Sequence, residues 1–169
     1  MGRIEGSRIL VTGGTGSIGS EVVRQLLKRD PSHITILSRD DSKQFYLKDE
    51  LSDRENVTFI IGDVRDRESQ QRAFRGGIDI VIHSATKYLG GHSDISAGAV
   101  ISTKEKIENI LNSAKNFGGN LSDYTVWLLE RSMKTLLVRV KQQTENAKIL
   151  AKMLDDHKNI SKVYYPGLQ

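Results

Sequence analysis

Arg8-Ile9-Leu10-Val11-Thr12-Gly13-Gly14-Thr15-Gly16-Ser17-Ile18-Gly19 runs from a short apolar stretch rich in β-formers straight into a glycine cluster. Residues 8–12 have the pattern of a buried strand. Beyond the glycines, Ile18, Val22, Val23, Leu26 and Leu27 recur at helical spacing up to Arg29, and Asp30-Pro31 stops that helix. Gly13, Gly16 and Gly19 keep the spacing of a dinucleotide-binding turn. The first glycine permits the tight turn, the second lets the backbone approach a pyrophosphate, and the third lets helix and strand pack closely. The helix N-terminus adds N–H groups and a partial positive charge. Gly13, Thr15, Gly16, Ser17, Ile18 and Gly19 are therefore the candidate phosphate-binding residues. The alternative is a glycine-rich turn that serves packing alone.

Working outward, residues 33–37, 57–61 and 78–82 are further strands, and residues 43–51 and 67–74 are the helices between them. Strands alternating with helices at this pace predict an α/β fold in three layers, a Rossmann-like parallel sheet covered on both faces. Right-handed crossovers give it the order 3-2-1-4. Residues 97–102 form a fifth strand. The segment before them is too short for a helical crossover, so this strand is expected antiparallel at the edge, beside residues 78–82. Residues 104–116 form an amphipathic helix that Gly118-Gly119 breaks. Ser122 or Asp123 can cap the next helix, which is expected to run nearly continuously from Asp123 to about Asp156. Met1 to Ser7 reads as a polar, frayed start, and Val163 to Leu168 as an apolar tail with no obvious partner.

Composition narrows the function classes. The chain has 169 residues and a net charge of +4 without a basic run, so nucleic acid is not an expected partner. It has no cysteine, which excludes disulfides and thiolate metal sites. No metal site is expected: His83 and His92 lie too far apart for one helical face, and Asp94 completes no known spacing. No apolar run approaches a membrane span. A cytoplasmic protein without a membrane partner is the expectation.

The end of the second strand chooses between dinucleotides. Ser38 and Arg39 come first, with Lys43 a turn beyond, and a cation there accommodates a 2′-phosphate, favouring NADP. Asp40 keeps NAD open. Thr12 to Glu21, Ser38-Arg39-Asp40, Lys43-Gln44 and Gly62-Asp63-Val64-Arg65-Asp66 resemble the extended short-chain dehydrogenases, especially nucleotide-sugar 4,6-dehydratases of polysaccharide biosynthesis. The resemblance covers residues 8 to 83. It implies that Asp63 and Val64 face the adenine. That family's catalytic Tyr-x-x-x-Lys does not occur: Glu50 stands four residues after Tyr46, and His92 four after Tyr88.

A second resemblance begins where the first ends. Ile82 to Asp94, running through His83-Ser84-Ala85-Thr86-Lys87-Tyr88, is similar to the lysine segment of pyridoxal-phosphate enzymes of the cystathionine γ-synthase and γ-lyase type. The likeness continues through residues 97–100, 122–135, 145–157 and 163–168. It implies that Lys87 matches the Schiff-base lysine and that Ser84 and Thr86 match phosphate ligands. It also implies an aspartate about two dozen positions earlier that pairs with the pyridine nitrogen, and Asp63 stands at a comparable separation. The remainder of that family's site lies outside these segments, so Lys87 is expected to be vestigial and pyridoxal phosphate is not expected to bind productively.

The two resemblances meet near residues 79 to 85, in a strand both families share. The expectation is a single chimeric α/β domain over residues 1–169. Its dinucleotide-binding half is 1–82, and its half related to pyridoxal-phosphate enzymes is 83–169. Recombination or design in that strand would produce it, and so would a natural fusion. The chimera is expected to bind NADP(H) without a complete catalytic site. The alternatives are a pyridoxal-phosphate enzyme of sulfur amino-acid metabolism and a fold in which both sites are vestigial. A homodimer through the apolar stripe of residues 136–154 is also expected.

Overall fold

The structure is a computed structural model that describes residues 4–165 and residue 168. The chain divides into two compact units. Residues up to Ala85 and Ala97–Leu121 form the first, and Thr86–Ser96 with the residues from Ser122 onward form the second.

The first unit contains β1 (Arg8–Thr12), α1 (Ser17–Leu27), β2 (His33–Ser38), α2 (Asp41–Glu50), β3 (Val57–Ile61), α3 (Arg67–Ala73), β4 (Ile80–Ser84), β5 (Gly98–Ile101) and α4 (Lys104–Phe117). Its five-stranded sheet has the order β3-β2-β1-β4-β5. The first four strands are parallel, and β5 runs antiparallel to β4 with Val100 opposite Ile82 and Gly98 opposite Ser84. Both the order and the antiparallel edge are those the pattern predicts.

Alternation along the strands feeds two cores. Ile9, Val11, Ile34, Ile36 and Ile80 point to one face, where Val23 and Leu26 of α1 and Leu47 of α2 cover them. Leu10 and Leu37 point to the other, against Ala73 at the end of α3. Removing such runs of β-branched and leucine side chains from water is what holds the layers together. Asp79 ties the opposite end of the sheet. Its carboxylate accepts from Arg8 N at 2.9 Å and from Lys106 Nζ at 3.0 Å, and its carbonyl accepts from Ser102 Oγ at 2.6 Å. Strand β5 and helix α4, from the second half of the sequence, thus complete the first unit.

The second unit contains α5 (Asp123–Met133) and α6 (Leu136–Asp155). Ser122 caps α5 through its hydroxyl, which accepts from Thr125 N. The helix expected to run nearly continuously from Asp123 to about Asp156 is interrupted at Lys134–Thr135, which divides it into α5 and α6. The Ser132 carbonyl accepts from Thr135 N at 3.2 Å, Thr135 Oγ1 at 3.2 Å and Arg139 Nη2 at 2.8 Å. These bonds stand in for the helical partner the carbonyl gives up, so a break without proline leaves no orphaned acceptor.

The amino-terminal expectation also changes. Ile4 packs on the core and Ser7 N donates to Ile4 O at 3.0 Å, so residues 4–7 form a turn rather than a frayed end. Met1 to Arg3 lie outside the described residues, as do Pro166 and Gly167 of the expected apolar tail. Among the described residues no helix is long and apolar enough to cross a membrane.

Candidate functional site

In the first unit the carboxyl ends of β1, β2 and β3 bring together the residues singled out for dinucleotide binding. Gly13 takes φ +67°, a left-handed conformation that glycine adopts without strain. Its N–H donates to Leu37 O at 2.7 Å and fastens the loop to β2. A Cβ on Gly19 would run into the Gly13 carbonyl oxygen, so α1 packs on the loop at a distance only glycine permits. A Cβ on Gly16, by contrast, would meet nothing nearer than that oxygen at 3.4 Å. The loop is closed at Gly19 and open at Gly16, as a cradle for an incoming phosphate requires. Gly16 is the N-cap of α1, and among the described residues no side chain caps it and no acidic residue occupies the first turn. Ser17, Ile18 and Gly19 therefore present the helix N-terminus, with Ile18 79% exposed beside it.

Thr15 and Ser38 join the loop to β2. Their hydroxyls lie 2.6 Å apart and are buried. Gln44 reinforces the same corner, donating from Nε2 to Ser38 O at 3.0 Å and Ile60 O at 2.8 Å.

The charged residues sort themselves by partner. Asp40 is the N-cap of α2: its Oδ1 accepts from Lys43 N at 2.9 Å, and Lys43 Nζ lies 3.3 Å from Oδ2. The backbone N–H of Lys43 holds the Asp40 carboxyl below its ordinary range. Asp63 is gripped by Arg65, whose Nη2 donates at 2.6 Å and Nε at 3.0 Å. Arg39 Nη1 stands farther off, at 3.6 Å, with its side chain 66% exposed. The Arg65 guanidinium, with a smaller contribution from Arg39, holds the Asp63 carboxyl below its ordinary range. Val64 is half-buried against the core that contains Leu10 and Leu37.

The residues matched to pyridoxal-phosphate enzymes are distributed differently. Ser84 ends β4 in the first unit, whereas Thr86 and Lys87 begin the loop of the second. There Lys87 lines a cavity of about 330 Å³ with Thr86, Tyr88, Ser93, Arg139 and Gln143. Arg139 is a bracket in this unit. It donates from Nη1 to Tyr88 O at 3.1 Å, from Nη2 to Ser132 O and from Nε to Thr135 Oγ1 at 3.0 Å, joining the lysine loop to the helix break. His92 Nδ1 adds a contact to Ser132 Oγ at 3.2 Å.

Sequence reasoning passed over one contact. His83, considered in the sequence as a metal ligand, places Nδ1 2.6 Å from Thr12 Oγ1 at the entrance to the glycine loop. The signal available was the strand order, which sets the ends of β1 and β4 side by side.

Comparison with known proteins matches residues 7–88 to the KR domain and residues 50–169 to the family of Cys/Met metabolism PLP-dependent enzymes. The two matches overlap over β3, α3 and β4. Chloroplastic cystathionine γ-synthase 1 of Arabidopsis thaliana is 44% identical over 98 residues, 58% of this chain and 17% of that protein. Cystathionine β-lyase MetC of Staphylococcus haemolyticus is 49% identical over 92 residues, 54% of this chain and 24% of that protein. The chain thus spans about a quarter or less of these relatives. The crystal structure of metB from Corynebacterium glutamicum aligns with 98% of this chain and 50% of its own at 22% identity, TM-score 0.57, a likeness of fold. With a KR-like segment joined to one like the transsulfuration enzymes, the chain is a chimera, and over residues 50–169 it belongs to the family of Cys/Met metabolism PLP-dependent enzymes.

Proposed function

We propose that the chain binds NADP(H) on the glycine loop of its first unit and does not turn over a sulfur amino acid. The observation that carries this reading is the loop itself, closed at Gly19, open at Gly16, and leading into the N-terminus of α1. The pyrophosphate would lie against Gly13, Thr15, Gly16 and Ser17, where backbone N–H groups and the helix dipole favour an anion. A bound nicotinamide dinucleotide carries a hydride, but neither Tyr46 nor Tyr88 has the lysine four positions on that would complete the proton donor of the KR-like half.

The choice of NADP over NAD rests on the partners of Arg39 and Asp40. Asp40 is committed to Lys43 N, which removes the obvious carboxylate for a ribose 2′-hydroxyl. Arg39 is exposed, and its 3.6 Å contact with Asp63 is of the weak surface kind. Arg65 keeps Asp63 paired when Arg39 leaves, so Arg39 can turn to a 2′-phosphate at small cost.

Pyridoxal phosphate fits these residues poorly. Asp63, the carboxylate at the matching separation from Lys87, is held by Arg65 and follows β3. Two strands lie between β3 and β4, so the ends of those strands are roughly 14 Å apart at about 4.8 Å per spacing. Lys87 follows β4.

Titration of the chain with NADP tests the proposal. The wild type should bind, and Gly16→Asp should abolish binding while leaving the melting temperature near its original value. Its side chain fills the open position and opposes the phosphate charge. Absence of NADP and NAD binding by the wild type would favour the reading in which both sites are vestigial.

A further inference from the structure

The Thr12–His83 contact contains a proton-counting constraint. Thr12 Oγ1 lies 2.6 Å from His83 Nδ1 and 3.2 Å from Ile82 O. One hydroxyl proton cannot serve both acceptors. With the imidazole proton on Nδ1, His83 donates to Thr12 and Thr12 donates to the Ile82 carbonyl, so both bonds form. With the proton on Nε2, Thr12 has to abandon one of them. The two-bond arrangement wins, and it makes Nε2 a hydrogen-bond acceptor. Among the described residues the ring makes no other hydrogen bond. Burial holds the imidazole below its ordinary pKa, which keeps it neutral and Nε2 able to accept.

Its place in the sheet gives that acceptor a use. From β1 the chain moves to β2 and β3 on one side and returns to β4 on the other. The reversal of direction between β1 and β4 is the switch point, where open α/β sheets bind ligands beyond the carboxyl ends of their strands. Val11 pairs with Ile82, so Thr12 and His83 stand one residue further along, toward the carboxyl ends of β1 and β4. Arg39 follows β2, on the opposite side of β1. A dinucleotide with its pyrophosphate on the loop after β1 and its 2′-phosphate at Arg39 extends its other half toward β4.

We propose that His83 is a binding residue for the nicotinamide riboside half of the dinucleotide, its Nε2 accepting a hydrogen bond from a ribose hydroxyl. This rests on the dinucleotide reading above. His83 thereby does two things: it locks the ends of β1 and β4 together through Nδ1, and it contacts ligand through Nε2.

The experiment titrates the full chain with NADP and with 2′,5′-ADP, which keeps the adenosine and the 2′-phosphate but lacks the nicotinamide riboside. His83→Asn keeps a polar atom near Nδ1 and removes Nε2, whereas His83→Gln carries an amide near the position of Nε2. His83→Asn should weaken NADP by roughly 3- to 10-fold, the worth of one net hydrogen bond, and leave 2′,5′-ADP unchanged. His83→Gln should restore most of the NADP affinity. Equal weakening of both ligands, or no change in either, overturns the assignment of His83 alone. A wild type that binds neither ligand overturns the dinucleotide reading itself. Should His83→Asn fail to fold, the His83 ring proton resonance of the wild type decides: it should shift on adding NADP and not on adding 2′,5′-ADP, and equal response to both would contradict the contact.

Discussion

The hydroxyls of Thr15 and Ser38 meet at 2.6 Å in a buried contact that links the glycine loop to the end of β2. The loop's conformation therefore depends on a side chain from another strand as well as on its own glycines. Ser38→Ala removes one member and leaves the Thr15 hydroxyl buried beside a methyl group. The expected cost is about 1 kcal/mol of stability, with weaker NADP binding because the cradle is less firmly held. Urea denaturation and titration read the two effects. Unchanged stability together with unchanged affinity would mean that the contact does not organise the loop.

Acid should destabilise the first unit before any carboxylate titrates. Burial lowers the pKa values of both His33 and His83, and the Arg8 charge lowers that of His33 further. The folded state thus resists protons that the unfolded chain binds. The sign follows: stability is full above the ordinary imidazole value of about 6.5 and falls as pH drops through it. The lowered pKa values of Asp63 and Asp79 add a second loss at lower pH, as their paired carboxylates protonate. Thermal melts at pH 7.5 and 5.5 should show a lower midpoint at the acid end, and His83→Asn should narrow the gap. A midpoint that rises on acidification would contradict it.

Most of the fold was legible because its signals are local. The runs rich in β-formers at residues 8–12, 33–37 and 57–61 announce strands by themselves, and the short segment before residue 97 dictates an antiparallel β5. The glycine loop was legible for the same reason. The features that escaped are set by partners distant in sequence. At the break between α5 and α6 Arg139 bonds the Ser132 carbonyl, and its guanidinium also reaches Tyr88 O, 51 residues away. The partner of His83 is Thr12, 71 residues away. The apolar periodicity of residues 123–156 carries no mark of the interruption at Lys134–Thr135, where the Ser132 carbonyl accepts from Thr135 and Arg139.

Lys87 should behave as an accessible lysine rather than as a cofactor lysine. Its cavity is shared with Arg139, whose guanidinium is committed to the carbonyls of Tyr88 and Ser132. Treatment with stoichiometric pyridoxal phosphate, borohydride reduction and peptide mapping should label several lysines, with no turnover of cystathionine. Clean labelling at Lys87 accompanied by turnover would make Lys87 a working cofactor lysine.

Helix α6 leaves Leu137, Ile149, Leu150 and Met153 exposed within a helix that also carries many charges. Ile149, Leu150 and Met153 fall on one face of the helix at its spacing; exposed apolar side chains grouped in this way favour self-association, and we propose a homodimer through residues 136–154. Sedimentation should show a concentration-dependent dimer that Leu150→Glu with Met153→Glu converts to monomer. A monomer at all concentrations would contradict the dimer without touching the dinucleotide site.

Selection of NADP by the first unit through Arg39 is read by isothermal titration of the wild type and of Arg39→Ala with both dinucleotides. The wild type should bind NADP more tightly than NAD. Arg39→Ala should lose most of that preference, by roughly 10-fold or more for a charge-assisted contact of about 1.5–3 kcal/mol, with NAD affinity little changed. Equal affinities of the wild type for NADP and NAD, or a preference that survives Arg39→Ala, would contradict it.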